Sequence, residues 1–294
     1  MKTIVTGGRG FIGTHLVCKL LELGHEVIVI DDMSSGTSKV DGAIYYLESI
    51  CNPIHHLFEG VDCVFHMAAE ARIQASIDDP MHTTKTNIVG TVNVLDACRF
   101  NNVPRIINSS SSAVYGLTEK FPTNEDTITD CLNPYAASKL AAEEMIHCYT
   151  KLCNLQAFNL RYFNVFGENS PVTGPYSLVI GLFLDQMERG EDLTVVGDGS
   201  SLRDFIYVGD VVEANIKAMT AEPEISSEIL NIGSGQNVSV LDIAKVIACD
   251  KITHVPPRHG EAKQTLADTT RVKRILGWEA KIIVLDWIRS QLSQ

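Results

Sequence analysis

The sequence predicts an α/β fold: a doubly wound parallel sheet with helices on both faces and a smaller cap from the C-terminal part of the chain. Three observations predict it. Strand and helix patterns alternate through about the first 160 residues. A glycine-rich turn joins the first strand to the first helix. Beyond about residue 165 the alternation stops, and glycine and proline become frequent between Gly167 and Gly199.

In chain order, Lys2–Thr6 reads as a short apolar strand. Phe11–Leu23 carries apolar residues at helical spacing and stops at Gly24, a C-terminal glycine. Glu26–Ile30 is a strand rich in β-branched residues that ends at Asp31-Asp32, and Ala43–Leu47 is a weaker one. A short helix near Pro53–Phe58 precedes the strand Val61–His66. The long helix Thr84–Phe100 leads to a strand that opens at Arg105–Asn108 and runs into four serines. Pro134–Leu152 is a helix and Ala157–Tyr162 the next strand. Further on, Leu178–Arg189, Val211–Thr220, Val240–Ile247 and Val284–Leu292 read as helices, with short strands at Leu193–Val196 and Leu230–Gly233. The expected division is 1–165 for the sheet domain and 166–294 for a discontinuous cap, some of whose segments return to the sheet. The cap covers the C-terminal edge of the sheet, where such folds bind ligands.

A formal net charge of −12 over 294 residues argues against general affinity for nucleic acid or anionic lipid. An anionic ligand is left to a few placed arginines and helix N-termini. No apolar run approaches the roughly 20 residues that span a bilayer. Met1-Lys2 leads straight into a strand, without the features of a signal peptide. Eight cysteines (Cys18, Cys51, Cys63, Cys98, Cys131, Cys148, Cys153 and Cys249) show no C-x-x-C spacing. Most lie in apolar stretches, where a reduced thiol acts as a small hydrophobe. The nine histidines include no H-x-x-x-H pattern, so no metal site is expected. The expectation is a reduced, cytoplasmic protein.

The turn is Thr6-Gly7-Gly8-Arg9-Gly10-Phe11-Ile12-Gly13, between a strand and a helix. Gly7 permits a tight turn, Gly10 lets the backbone approach a pyrophosphate, and Gly13 lets the helix pack closely on the sheet. The helix N-terminus offers free N–H groups to the phosphates. Asp31, eighteen residues after Gly13, ends the second strand. A carboxylate there accepts hydrogen bonds from the ribose hydroxyls of NAD and repels the 2′-phosphate of NADP. Asp32 and Met33 follow, with no arginine nearby to receive a phosphate, so NAD is the expected cofactor in a Rossmann-type domain.

Tyr135 and Lys139 are four residues apart at the start of a helix, which places phenol and ammonium on one face. A phenol with an ordinary pKa near 10 is a poor base at neutral pH, and a neighbouring cation stabilises its phenolate. Upstream, Ser109–Ser112 end a strand at the ligand edge of the sheet, where a hydroxyl can bind a substrate oxygen. Asn87 and Asn108, polar among apolar neighbours, read as structural links.

These segments, with His66-Met-Ala-Ala69, Arg161-Tyr-Phe-Asn164, the run from Gly197 to Val208, Arg258-His-Gly-Glu261 and Ala267-Asp268, resemble the extended short-chain dehydrogenase/reductases. Within them the pattern is most similar to the nucleotide-sugar branch that includes UDP-glucose and UDP-N-acetylglucosamine 4-epimerases. The resemblance covers nearly the whole chain. It implies that Tyr135 is the acid/base on the sugar hydroxyl, that Lys139 binds the nicotinamide ribose, and that Ser111 is the catalytic hydroxyl. It implies cofactor contacts from Gly7, Gly10, Phe11, Ile12, Gly13, Asp31, Ile50, Ala68, Ala69, Asn87, Ser109 and Phe163. Ser49 stands where the family usually places an adenine-contacting aspartate. Asn164, Arg203, Arg258 and Glu261 would hold a UDP-sugar, with the arginines on its diphosphate. Taken alone, Arg203 beside Asp204 also reads as a surface ion pair. The helices Thr84–Phe100 and Pro134–Leu152 would form the family's dimer bundle.

The resemblance also bears on the reaction. Related dehydratases and decarboxylases carry a glutamate just before Val-Tyr-Gly, and 4,6-dehydratases an aspartate one residue earlier. Here Ala113 and Ser112 occupy those positions, and alanine cannot transfer a proton. Epimerisation needs no further acid or base, and is the expected reaction. The alternatives are uronate epimerisation, decarboxylation or dehydration of a UDP-sugar, and a non-catalytic NAD-binding regulator. Thr265, just upstream of Ala267-Asp268, occupies a position where epimerases restricted to unsubstituted hexoses place a tyrosine. The smaller threonine leaves room for an N-acetyl group or a C5 carboxylate.

Overall fold

The computed structural model describes residues 1–172, 178–248, 251–257, 260 and 262–293. Its strands are β1 (Lys2–Thr6), β2 (Glu26–Asp31), β3 (Ile44–Leu47), β4 (Cys63–His66), β5 (Arg105–Ser111), β6 (Gln156–Tyr162), β7 (Asn164–Phe166), β8 (Leu193–Val196), β9 (Leu202–Tyr207), β10 (Ser227–Ile232), β11 (Asn237–Ser239) and β12 (Ile252–Val255). The helices are α1 (Phe11–Glu22), α2 (Ile73–Asp78), α3 (Pro80–Thr84), α4 (Gly90–Phe100), α5 (Pro134–Leu152), α6 (Val179–Glu188), α7 (Val208–Thr220), α8 (Val240–Ile247), α9 (Thr270–Leu276) and α10 (Val284–Leu292). Seven strands form one sheet in the order β10-β6-β5-β4-β1-β2-β3, and every neighbouring pair is parallel. The chain order reverses between β1 and β4, and ligands bind at such a switch point.

The run Glu-Val-Ile-Val-Ile of β2 is apolar on successive residues because both faces of the strand are covered. Val27 and Val29, with Val5 of β1, pack against Leu16, Val17 and Leu20 of α1. Ile28 and Ile30, with Ile4, pack on the opposite face against Val94 and Leu95 of α4 and Ile146 of α5. Each fully buried side chain of this kind stabilises by about 1.5–3 kcal/mol, so this alternation sets the register of the central strands. A third core joins Phe166, Phe183, Leu193, Phe205, Ile243 and Ile288 beneath the smaller sheets β11-β9-β7 and β12-β8.

The doubly wound sheet and the helix Pro134–Leu152 are as expected. Other elements differ. The helix expected over Thr84–Phe100 is instead α3, a wide π-turn over Lys85–Val89, and α4. Asn87 is the buried residue of this turn. α7 starts at Val208 rather than at residue 211. β7, β9, β11 and β12 were not apparent, because they are short and only half-buried on average, which blurs the apolar period. Of the seven described cysteines, all free, only Cys63 and Cys98 are buried; Cys18 and Cys148 are exposed. Among the described residues no helix is long and apolar enough to cross a membrane.

Polar side chains stitch neighbouring strands of the sheet together. His66 of β4 bonds Thr6 of β1 at 2.9 Å and Thr91 of α4 at 2.8 Å. Burial, then the Lys139 charge, pull its pKa down to about 3, so the imidazole is neutral at physiological pH. Asn108 donates to Asn159 Oδ1 at 3.0 Å, and Asn159 to Ser227 Oγ at 3.2 Å, which links β5, β6 and β10. Asn108 is thus the structural link that its polarity suggests.

Candidate active site

The strand ends open into one continuous cleft of about 600 Å³, the size of an ordinary small-molecule site. At one end lies the glycine turn. Gly7 has φ +68, and its N–H donates to Ile30 O at 2.8 Å. A Cβ on Gly13 would come within 2.3 Å of Gly7 O, so only glycine lets α1 start so close to the turn. Gly10 caps α1 without a side-chain acceptor, which leaves the first-turn N–H groups of Phe11, Ile12 and Gly13 at the cleft wall.

Asp31 lines the same end, and its carboxylate accepts the N–H groups of Arg9 at 2.9 Å and Met33 at 2.8 Å. Burial pushes its pKa above the usual carboxylate range, and those two N–H bonds oppose the rise. An arginine does stand close in space, contrary to the sequence expectation. Arg9 lays its guanidinium 4.5 Å over the Tyr45 ring and points it at the carbonyls of Thr37 and Ser38. Nothing in the linear spacing of Arg9 and Asp31 signals that meeting. Ile50 lines the cleft, whereas Ser49 does not; its hydroxyl accepts the Cys51 N–H at 3.3 Å and closes its own turn.

In the middle of the cleft, β5 delivers Ser109, Ser110 and Ser111 to the lip. Asn133 caps α5 by accepting the Ala136 N–H at 2.8 Å, with Pro134 at the first helical position. Tyr135 therefore sits in the first turn, where its phenol and the Ser111 hydroxyl line the cleft together, and Ser111 pulls against the rise in the phenol's pKa. Lys139, one turn on, is buried and donates to Ser109 O at 2.7 Å. Burial pulls the lysine pKa down to about 8, against the Glu143 carboxylate. Burial raises the Tyr135 pKa; the Ser111 hydroxyl and the Arg72 charge lower it, and Glu70 raises it. Glu70 and Arg72 both line the cleft and were not singled out from the sequence, although they directly follow His66–Ala69.

Asn87, expected as a cofactor contact, is not among the residues that line the cleft. It is buried behind the floor, where Oδ1 accepts the Glu70 N–H at 2.7 Å and Nδ2 donates to Glu70 O at 2.9 Å and Ser138 Oγ at 2.8 Å. Ser138 Oγ in turn donates to Tyr135 O at 2.8 Å, and the Tyr135 N–H donates to Ser76 Oγ at 3.0 Å. The wall segment and the start of α5 are thereby held as one piece.

Ala68, Ala69 and Phe163 line the cleft beside Tyr135, and Asn164, Arg203 and Thr265 line its far end. Thr265 Oγ1 accepts the Asp204 N–H at 3.0 Å and donates to Asn164 Oδ1 at 3.4 Å. Arg203 donates to the carbonyls of Leu202 and Lys263, both at 3.1 Å. Asp204 is buried and accepts from Ser234, Gly235 and Ala267, so it braces the loop after β10. Arg258 and Glu261 lie outside the described residues.

A family model described as "NAD dependent epimerase/dehydratase family" matches residues 3–233. The chain belongs to this family. It is 32% identical to the UDP-glucose 4-epimerase of Mycolicibacterium smegmatis, over 98% of this chain and 96% of the relative. It is 33% identical to a UDP-N-acetyl-alpha-D-glucosaminuronate decarboxylase of Bacillus cytotoxicus, over 98% of both. Among solved structures, the UDP-glucose 4-epimerase of Thermotoga maritima with UDP-glucose superposes with a TM-score of 0.93 at 35% identity, covering 99% of this chain and 100% of that one.

The NAD of the family's description fits this cleft. The close approach of backbone at Gly7 and Gly13 leaves a cradle that any Cβ would fill, and the Asp31 carboxylate lines the same end of the cleft. NAD is expected to bind at least about tenfold more tightly than NADP. In Asp31→Ser the repulsion is gone while Arg9 remains beside the site, so NADP affinity should approach that for NAD. Calorimetry on apoprotein checks both, and equal affinities in the wild type would remove the role of Asp31.

Proposed function

We propose that the protein is a cytoplasmic UDP-sugar 4-epimerase, with Tyr135 as its acid/base. The observation that carries this reading is the phenol–hydroxyl pair Tyr135–Ser111, set where the NAD end of the cleft meets its far end, with Ala113 beside it. NAD, when bound, supplies the acceptor and donor of hydride. Ser111 and Tyr135 hold the C4 hydroxyl of the sugar, and Tyr135 takes its proton as the carbon is oxidised. Lys139 keeps a positive charge beneath the reacting groups and so stabilises the phenolate. When C4 is reduced on its other face, Tyr135 returns the proton, and no net acid, base or redox equivalent is consumed. Ala113 leaves the position of the dehydratase glutamate without a proton carrier. Asn164, Arg203 and Thr265 would hold the nucleotide-sugar, with Arg258 and Glu261.

The decarboxylase relative and the Glu70 carboxylate near Tyr135 favour a second reading, in which a UDP-uronate loses carbon dioxide at the same site. Product analysis separates the two. We also infer a homodimer through the α3–α4 and α5 faces, where Met81, Val89, Phe100 and Leu152 are exposed apolar side chains on two neighbouring helical segments.

Wild-type protein without added reductant is expected to interconvert the UDP-glucose and UDP-N-acetylglucosamine pairs. Thr265 already faces the cleft through Asn164, so Thr265→Tyr should fill the space of the acetamido group. The expected result is at least about tenfold slower turnover of the N-acetylated sugar with the hexose little changed, on the scale of a steric mismatch in a pocket. Refusal of the N-acetylated sugar by the wild type, or equal slowing of both, removes Thr265 as the gate. Absence of any C4 inversion, with carbon dioxide released from a UDP-uronate, would favour the decarboxylase reading.

A further inference from the structure

Three side chains at successive turns of α5 each engage a different serine of β5. The Tyr135 phenol shares the cleft with the Ser111 hydroxyl, which acts to lower its pKa, Lys139 donates to Ser109 O at 2.7 Å, and Glu143 accepts from Ser110 Oγ at 2.5 Å. The chemistry above uses the first two and leaves Glu143 without a task. Glu143 is 2% exposed and forms a two-point ion pair with Arg161 of β6, at 2.9 Å and 2.7 Å. Arg161 also lies 4.8 Å over the Tyr115 ring. A buried ion pair of this kind adds little net stability, because desolvation offsets the attraction. Its place beside the Tyr135–Lys139 pair suggests a different use.

We propose that Glu143 is a positioning residue of the active site: it pins α5 to the serine strand through Ser110 and holds a negative charge one turn from Lys139, so that the enclosed ammonium keeps its proton. This rests on the reading of Tyr135 and Lys139 as the acid/base pair. Burial is the main force pulling the Lys139 pKa down, and Glu143 is the charge that opposes it. The other groups around this point do not substitute for it. His66, from β4, is neutral, and its own pKa is depressed in part by Lys139. Arg161, from β6, is a cation already bound to Glu143. Burial raises the pKa values of Tyr115, after β5, and of Cys131 and Glu125, in the loop before α5. Tyr135 answers to Arg72 and Glu70 on the wall segment.

A charge that raises the Lys139 pKa is removed in Glu143→Gln, so the ammonium loses its proton at lower pH. In NAD-loaded protein the 13Cε resonance of Lys139, identified by its loss in Lys139→Arg, should report a proton affinity about tenfold weaker than in the wild type. The high-pH limb of kcat should move down to match, with KM for the UDP-sugar little changed. Glu143→Gln leaves Arg161 buried without its carboxylate, and that variant can fail to fold. Glu143→Gln/Arg161→Gln carries no uncompensated charge, and the Lys139 resonance should still titrate at lower pH. A resonance that titrates as in the wild type, or turnover scaled down equally at every pH, overturns the proposal. Wild-type protein that inverts no UDP-sugar counts against the proposed function, and the resonance still decides the role of Glu143.

Discussion

Tyr135→Phe is expected to keep NAD and lose at least about a hundredfold in turnover, the usual worth of a positioned acid/base. The geometry makes the substitution clean. The Tyr135 backbone is held by Ser76 and Ser138, and a phenylalanine ring leaves both bonds in place. Lys139 keeps its bond to Ser109, so the charge beneath the site is undisturbed. Only the phenol hydroxyl disappears, and with it the interaction with Ser111 and the capacity to move a proton. Cofactor released from denatured protein gives the NAD content, and product separation gives the turnover. Near-normal turnover with full NAD would remove Tyr135 from the chemistry.

The second large effect is expected from Gly13→Ala, at the opposite end of the cleft. The added Cβ would stand 2.3 Å from Gly7 O and 2.8 Å from Gly8 Cα, and both are backbone atoms that cannot rotate away. Relief requires α1 to move off the turn, at a cost of about 1–3 kcal/mol for overpacking. The same turn shapes the pyrophosphate cradle. The variant should fold less stably and purify largely without NAD, with affinity at least about tenfold weaker. Wild-type NAD affinity in this variant would mean that the turn adapts and the close packing is dispensable.

The parts of this molecule that were legible in the sequence are those whose cause is local. Pro134 and Asn133 announce the start of α5, and the uninterrupted Val-Ile-Val-Ile of β2 announces a strand covered on both faces. The glycine spacing is likewise a local steric demand. What escaped is where distant segments meet. Arg9 approaches Tyr45 and the loop after Asp31 only because β1, β2 and β3 lie side by side. Asn87 is buried within the wide turn over Lys85–Val89, which no period in the sequence marks. Ser49 satisfies its own turn rather than the cleft, a choice among hydrogen-bond partners that residue type leaves open. The Glu143–Arg161 pair joins a helix to a strand eighteen residues on, and read along the chain either charge passes for surface.

β10 has a consequence for how the chain comes together. It reaches the sheet only after the segment that carries α6, β8, β9 and α7, yet it pairs with β6 from Ala157 to Tyr162. Until it docks, β6 is a bare edge, and Asn231 cannot take the Tyr115 hydroxyl or reach Thr123. The two portions of the chain are therefore interleaved, like two ropes in a splice. Native pairing of β6 waits on residues made some seventy positions later, and long-range parallel pairing of this sort is slow to form. A chain cut after residue 165 would keep the glycine turn, Tyr135 and Lys139 in its sequence while lacking the strand that closes the sheet beside them.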